Sequence, residues 1–88
     1  MMQATNHLPA MDAAKNLTRT QQDALRAIAF FRRQRKLGKG WLVGDKRLWE
    51  RVVGRLERLE LVEESFKRGE PLLQLTIIGQ AIKAYLTQ

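Results

Sequence analysis

The sequence predicts one α+β domain, mainly α, built from three helices and a single β-hairpin, and three observations predict it. From Asp45 to Leu61, DKRLWERVVGRLERLEL, apolar residues recur at helical spacing, with Leu48, Val52, Leu56 and Leu59 on one stripe widened by Trp49 and Val53. Thr18 followed by Gln21 has the spacing of a capping box, which places the start of an earlier and longer helix. After Glu60 the period changes: LVEESF and LLQL flank Lys67-Arg68-Gly69-Glu70-Pro71, the pattern of two strands joined by a turn.

Length and composition bound the answer. Eighty-eight residues suffice for one modest core, and 44% hydrophobic content belongs to a folded chain. The absence of cysteine excludes a disulfide framework and thiolate chemistry, and it fits a reducing cytoplasm. No apolar run approaches the ~20 residues needed to span a bilayer. The opening MMQATNHLPAMDAAKN lacks the basic-then-apolar order of a signal peptide, so no membrane partner is expected.

Taken in order, residues 1–16 are small, polar and aperiodic, and read as a flexible N-terminal tail preceding a domain at 17–88. His7, the sole histidine, lies in that tail, and a single ligand without partners makes no metal site. The first helix is expected from Arg19 to Lys36, burying Ala24, Leu25, Ala27, Ile28 and Phe31. Phe30 points roughly 100° from the centre of that stripe, either to a subunit contact or under the tail or the last helix. The closing run RRQRK, Arg32 to Lys36, is a solvated helix end favoured by the dipole, or else a phosphate contact.

Gly38, Gly40 and Gly44 make a long helix unfavourable in LGKGWLVG. Trp41, Leu42 and Val43 then form a short strand or a tucked loop, with Trp41 in the core. Asp45 caps the helix over 45–61. The later hairpin projects Lys67 and Arg68 at its tip. Thr76 caps a last helix from Ile77 to about Thr87, whose Ile78, Ala81, Ile82, Tyr85 and Leu86 face the core or a second chain.

Charge points to the partner. The formal net charge is +7, and residues 15–55 carry twelve basic side chains against three acidic ones, whereas residues 56–88 carry four against five. Such asymmetry suits a polyanion, nucleic acid before membrane; the other reading is a merely soluble basic protein. Arg47, Arg51, Arg55 and Arg58 line the flank of the 45–61 helix away from its apolar stripe, with Gly54 among them. That glycine costs about 1 kcal/mol in a helix interior, which makes sense if a ligand approaches the backbone closely. No Ser-His-Asp set, metal cluster or phosphate-cradling glycine loop is present, so neither an enzyme nor a cofactor is expected.

The residues Leu17-Thr18…Gln21…Leu25, RLERLELVEE from Arg55 to Glu64, the turn KRGEP, and LQLTIIGQA from Leu73 to Ala81 resemble the winged helix-turn-helix domains of MarR-like transcriptional regulators. The resemblance covers about residues 17–86. It implies a long N-terminal helix, a recognition-type helix, a two-stranded β-hairpin wing and a C-terminal helix, with Thr76 as cap and Gly79 where helix and hairpin pack closely. The helix that normally precedes the recognition helix is here shortened or absent, its slot filled by LGKGWLVG.

The resemblance implies a small sequence-specific protein that binds double-stranded DNA as a transcription regulator. The 45–61 helix, with Lys46, Arg47, Arg51 and Arg55, enters the major groove, and the 66–71 wing, with Lys67 and Arg68, lies on the backbone or minor groove. Gly54 and Arg58 join this DNA-binding set from the basic face of the helix. A single small domain reads few base pairs, so a homodimer on a near-palindromic site is expected, with Phe30, Tyr85 and Leu86 as candidate contacts. The alternative is a winged-helix protein–protein interaction module that does not touch DNA. The resemblance also implies a prokaryotic or phage origin, and it leaves a small-molecule effector open.

Overall fold

Thr18 opens the first helix as its spacing requires. Its hydroxyl accepts from the Gln21 N–H at 3.1 Å, and the Gln21 side chain accepts from the Thr18 N–H at 3.0 Å. The protein is seen here as a computed structural model that describes residues 14–87; the expectations for residues 1–13, His7 among them, lie outside the described residues. A helical turn at 14–16 comes first, and Ala14 is only 3% exposed, so packing begins upstream of Leu17. Helix α1 (Arg19–Phe30) then buries Ala24, Leu25, Ala27 and Ile28.

The long first helix is corrected at its end. It stops at Phe30, and Phe31 is extended with its N–H on the Ala27 carbonyl. RRQRK is therefore not a helix end. It leads into β1 (Gln34–Leu37), which pairs antiparallel with β2 (Gly40–Val43), which pairs in turn with β3 (Lys46–Trp49). Two-residue turns join them, at Gly38-Lys39 and at Gly44-Asp45, where Gly44 takes φ 63° and lies against the Phe31 ring. The segment expected to replace a short helix thus forms the centre of a three-stranded sheet, with Trp41 in the core as expected.

The second correction concerns the 45–61 helix. Asp45 belongs to a turn, residues 46–49 form a strand, and helix α2 spans only Glu50–Arg58, with Trp49 as an N-cap that makes no side-chain bond. Leu48 explains the difference. It falls on the helical stripe with Val52, yet it is equally suited to the inner face of a strand, where it sits opposite Trp41. The free edge of β2 decides the matter, because its backbone groups need a partner and β3 supplies one. Leu59, counted on the apolar stripe, is the C-cap and is 39% exposed.

The chain closes with a hairpin of β4 (Val62–Lys67) and β5 (Glu70–Leu75), then helix α3 (Ile77–Leu86). Strand β4 keeps the expected six residues, one position later, whereas β5 begins two residues earlier than expected, so that Pro71 lies within it, opposite Phe66. The Thr76 hydroxyl caps α3 by accepting from the Gly79 N–H at 3.0 Å and donates to the Glu60 carbonyl at 2.6 Å. The order α-β-β-β-α-β-β-α is neither mainly α nor the expected winged helix, because a β-meander stands where a helix-turn-helix needs its first helix.

Two contacts hold these pieces in place. Gly79 is buried with no room for a side chain, since a Cβ there would collide with the Leu61 carbonyl oxygen. The Gln34 amide reaches from β1 to the edge of β5, donating to the Leu73 carbonyl at 3.0 Å and accepting from the Leu73 N–H at 2.7 Å. Chemical denaturation should show Gln34→Ala destabilised by about 1–2 kcal/mol, because two half-buried backbone groups lose their partners. Gly79→Ala should cost about 1–3 kcal/mol by forcing α3 off Leu61.

Candidate nucleic-acid interface

The basic residues expected on one helix are divided between two elements. Arg51, Arg55 and Arg58 remain on α2, all exposed, at spacings of four and three residues. They leave the helix along a line of about 10 Å, at 1.5 Å rise per residue. Lys46 and Arg47 lie on β3, where successive side chains point to opposite faces, so they do not extend that row. Among the described residues the ion pairs are Arg26–Asp23 and Lys36–Glu64, and the α2 arginines take part in neither.

Gly54 is open. A Cβ there would meet only the Arg58 guanidinium, at 3.7 Å, so packing inside the protein does not require glycine. It borders a groove of about 480 Å³ between α2 and the β1–β2 turn, with Lys36, Arg51 and Arg58 facing Glu50, Glu57 and Glu64. The groove is balanced in charge, which makes it a poor anion site by itself. Its value is access to the α2 backbone at Gly54.

The tip of the β4–β5 hairpin gathers a second cluster. Arg68 and Gly69 both have positive φ, 55° and 81°, which is the two-residue turn that continues the twist of a hairpin. Beside it, Arg32, Lys67 and Arg68 line a groove of about 460 Å³ with Glu70 as the acidic member. Arg32 is a residue that sequence reasoning placed on a helix end. Strand β1 runs from this cluster toward α2, and it carries Arg35 on the way to Lys39 in the turn. The phosphate-contact reading of RRQRK was the available signal for these residues; which way they pointed depended on the missed strand. Lys36 stays exposed but is paired within the chain, its ammonium 3.0 Å from the Glu64 carboxylate and 5.7 Å from the Trp41 ring centre.

The sheet has one covered and one open face. In antiparallel strands directly opposed residues share a face. Lys36, Trp41 and Leu48 form a row on the inner side, where Trp41 and Leu48 are buried. Arg35, Leu42 and Arg47 form one row on the outer side, and Leu37, Gly40 and Trp49 the next. Arg35, Arg47 and Trp49 are exposed, and the Arg47 guanidinium lies 4.4 Å from the centre of the Trp49 ring.

The residues put forward for a subunit contact separate as well. Tyr85 and Leu86 pack against the core of their own chain. Phe30 is 76% exposed and meets Phe31 edge-on. Ile78 and Ala81, expected to face the core or a second chain, are exposed, and Ile78 forms with Ile77 an apolar patch on the first turn of α3 beside Glu57, Glu60 and Glu63. Among the described residues no helix is long and apolar enough to cross a membrane.

Gly54→Ala separates a packing role from a binding role. The variant should gain about 1 kcal/mol of stability from helix propensity in chemical denaturation, while losing affinity for any ligand that lies against α2. The chain was also compared with protein-family models, with characterised proteins and with solved structures, and none of these comparisons returned a match.

Proposed function

We propose that the protein binds double-stranded DNA, as a small regulator of transcription that works without catalysis. The observation that carries this reading is the exposed row Arg51, Arg55 and Arg58 on α2, which forms no ion pair among the described residues and is joined through the basic edge of β1 to the hairpin-tip cluster of Arg32, Lys67 and Arg68. Guanidinium groups pair with phosphate oxygens in forked hydrogen bonds, and each such contact releases a condensed cation from DNA. Arg51, in the first turn of α2, is the side chain best placed to reach a base edge, and the others position the duplex. Gly54 lets the backbone approach in the middle of the row.

A second reading rests on a separate observation. Ile77 is 89% exposed and Ile78 48% exposed, and with Glu57, Glu60 and Glu63 they make an acidic, apolar surface of the kind that docks a protein. On that reading the chain is an interaction module.

Fluorescence anisotropy with a labelled duplex from a random pool, titrated at several salt concentrations, decides between them. Affinity should fall steeply with salt, and each phosphate contact removed should flatten the logarithmic slope by about 0.9. The double variant Arg51→Glu, Arg55→Glu should lose at least about tenfold in affinity, equivalent to 1.4 kcal/mol. Unchanged binding by that variant, or no duplex binding by the parent at low salt, would sink the DNA reading in favour of the interaction module.

A further inference from the structure

We infer that the open face of the β1–β2–β3 sheet is a platform for single-stranded nucleic acid, on which an unpaired base stacks against the Trp49–Arg47 pair. The inference deepens the nucleic-acid reading and rests on it, with Arg35 and Arg47 of this face adding phosphate contacts to those of α2 and the hairpin.

The two tryptophans of the chain make the case by contrast. Trp41 fills the core at 4% exposure, whereas Trp49, on the opposite face of the same sheet, is 55% exposed. Trp49 is not among the residues of the core or those packed against it. Its cross-strand neighbour is Gly40, which offers no side chain, and as the N-cap of α2 it makes no capping bond. Its recorded partner is Arg47, two residues back on the same face of β3, whose guanidinium lies 4.4 Å from the ring centre. That contact fixes a flat cation against a flat aromatic at the surface, with more than half of the residue still open to solvent.

Around this pair the face has the chemistry a single strand requires. Arg35 and Arg47 flank Leu42 in one cross-strand row, and Leu37 lies in the row of Trp49. Strands lie about 4.8 Å apart, so the two arginines stand about 10 Å from each other across the sheet at their backbones. Cationic groups at that interval hold a phosphate backbone, while the indole and guanidinium planes offer a stacking surface between them. Base faces in a duplex are covered by their neighbours, and only unpaired bases expose them. Stacking on an aromatic or an arginine plane is accordingly how proteins hold single strands, with little dependence on sequence. The duplex elements, α2 and the wing, need no such surface.

The experiment reads tryptophan emission while the intact chain is titrated with oligo(dT) or oligo(rU), with a blunt duplex as control. The expected result is quenching of the exposed tryptophan by the oligonucleotides. Trp49→Ala should abolish the quenching and weaken oligonucleotide binding about tenfold, with duplex affinity unchanged; Trp49→Phe, which keeps a ring, should restore part of the binding. The two oligonucleotides distinguish RNA from DNA as the source of the strand. Duplex binding without oligonucleotide binding overturns the platform and leaves the proposed function standing. Binding of neither overturns both. Quenching that persists in Trp49→Ala would report Trp41 and overturn the platform as well.

Discussion

The side-chain amide of Gln34 is the contact on which the arrangement of this protein depends. It pairs with the N–H and carbonyl of Leu73 as a neighbouring strand would, and it donates a third bond to the Phe31 carbonyl at 3.2 Å. Through it the two sheets become one unit, with β1 held along the edge of the hairpin. Lys36 reinforces the same docking two residues later by reaching Glu64 on β4. A helix continued to Lys36 would carry Gln34 away from Leu73 and leave the β5 edge bare. The break after Phe30 therefore satisfies backbone groups that have no other protein partner.

That docking also sets the electrostatics. Once RRQRK is drawn out along a sheet edge, its charges face different ways. Arg32 joins the hairpin tip, Arg35 the open sheet face, and Lys36 is neutralised by Glu64. Glu57, Glu60 and Glu63 stand around the exposed isoleucines of α3, and Glu57 also borders the groove of Arg51 and Arg58. The molecule thus presents basic residues on α2, the hairpin tip and the open sheet face, and an acidic, apolar patch that adjoins α2. Exposed cations held on a rigid strand and helix lose little conformational freedom when a polyanion binds, which is why their placement matters more than their number.

Much of the local structure was legible in the residues. The Thr18–Gln21 box, the buried face of α1, the Thr76 cap, the close packing at Gly79 and the burial of Trp41 follow from rules acting over a few residues, and each is present. The candidate site was legible in part. Arg51, Arg55, Arg58, Lys67 and Arg68 lie on exposed surfaces of a helix and a hairpin as expected. Lys46 and Arg47 do not share their helix, and Arg32 and Arg35 gained positions that no helical reading allows.

By itself, then, the sequence determined the Thr18 and Thr76 caps, the hairpin, the buried face of α1 and the concentration of positive charge, all of which depend on spacing within one element. Only the tertiary structure decided that residues 34–49 form three strands. Leu48 suits a helix stripe and a strand face equally, and neither the Gln34–Leu73 pairing nor the unmet edge of β2 has any local signature. Those are contacts between segments distant in the chain. They turned a long first helix and a long basic helix into a sheet, and with it created the open face that carries Arg35, Arg47 and Trp49.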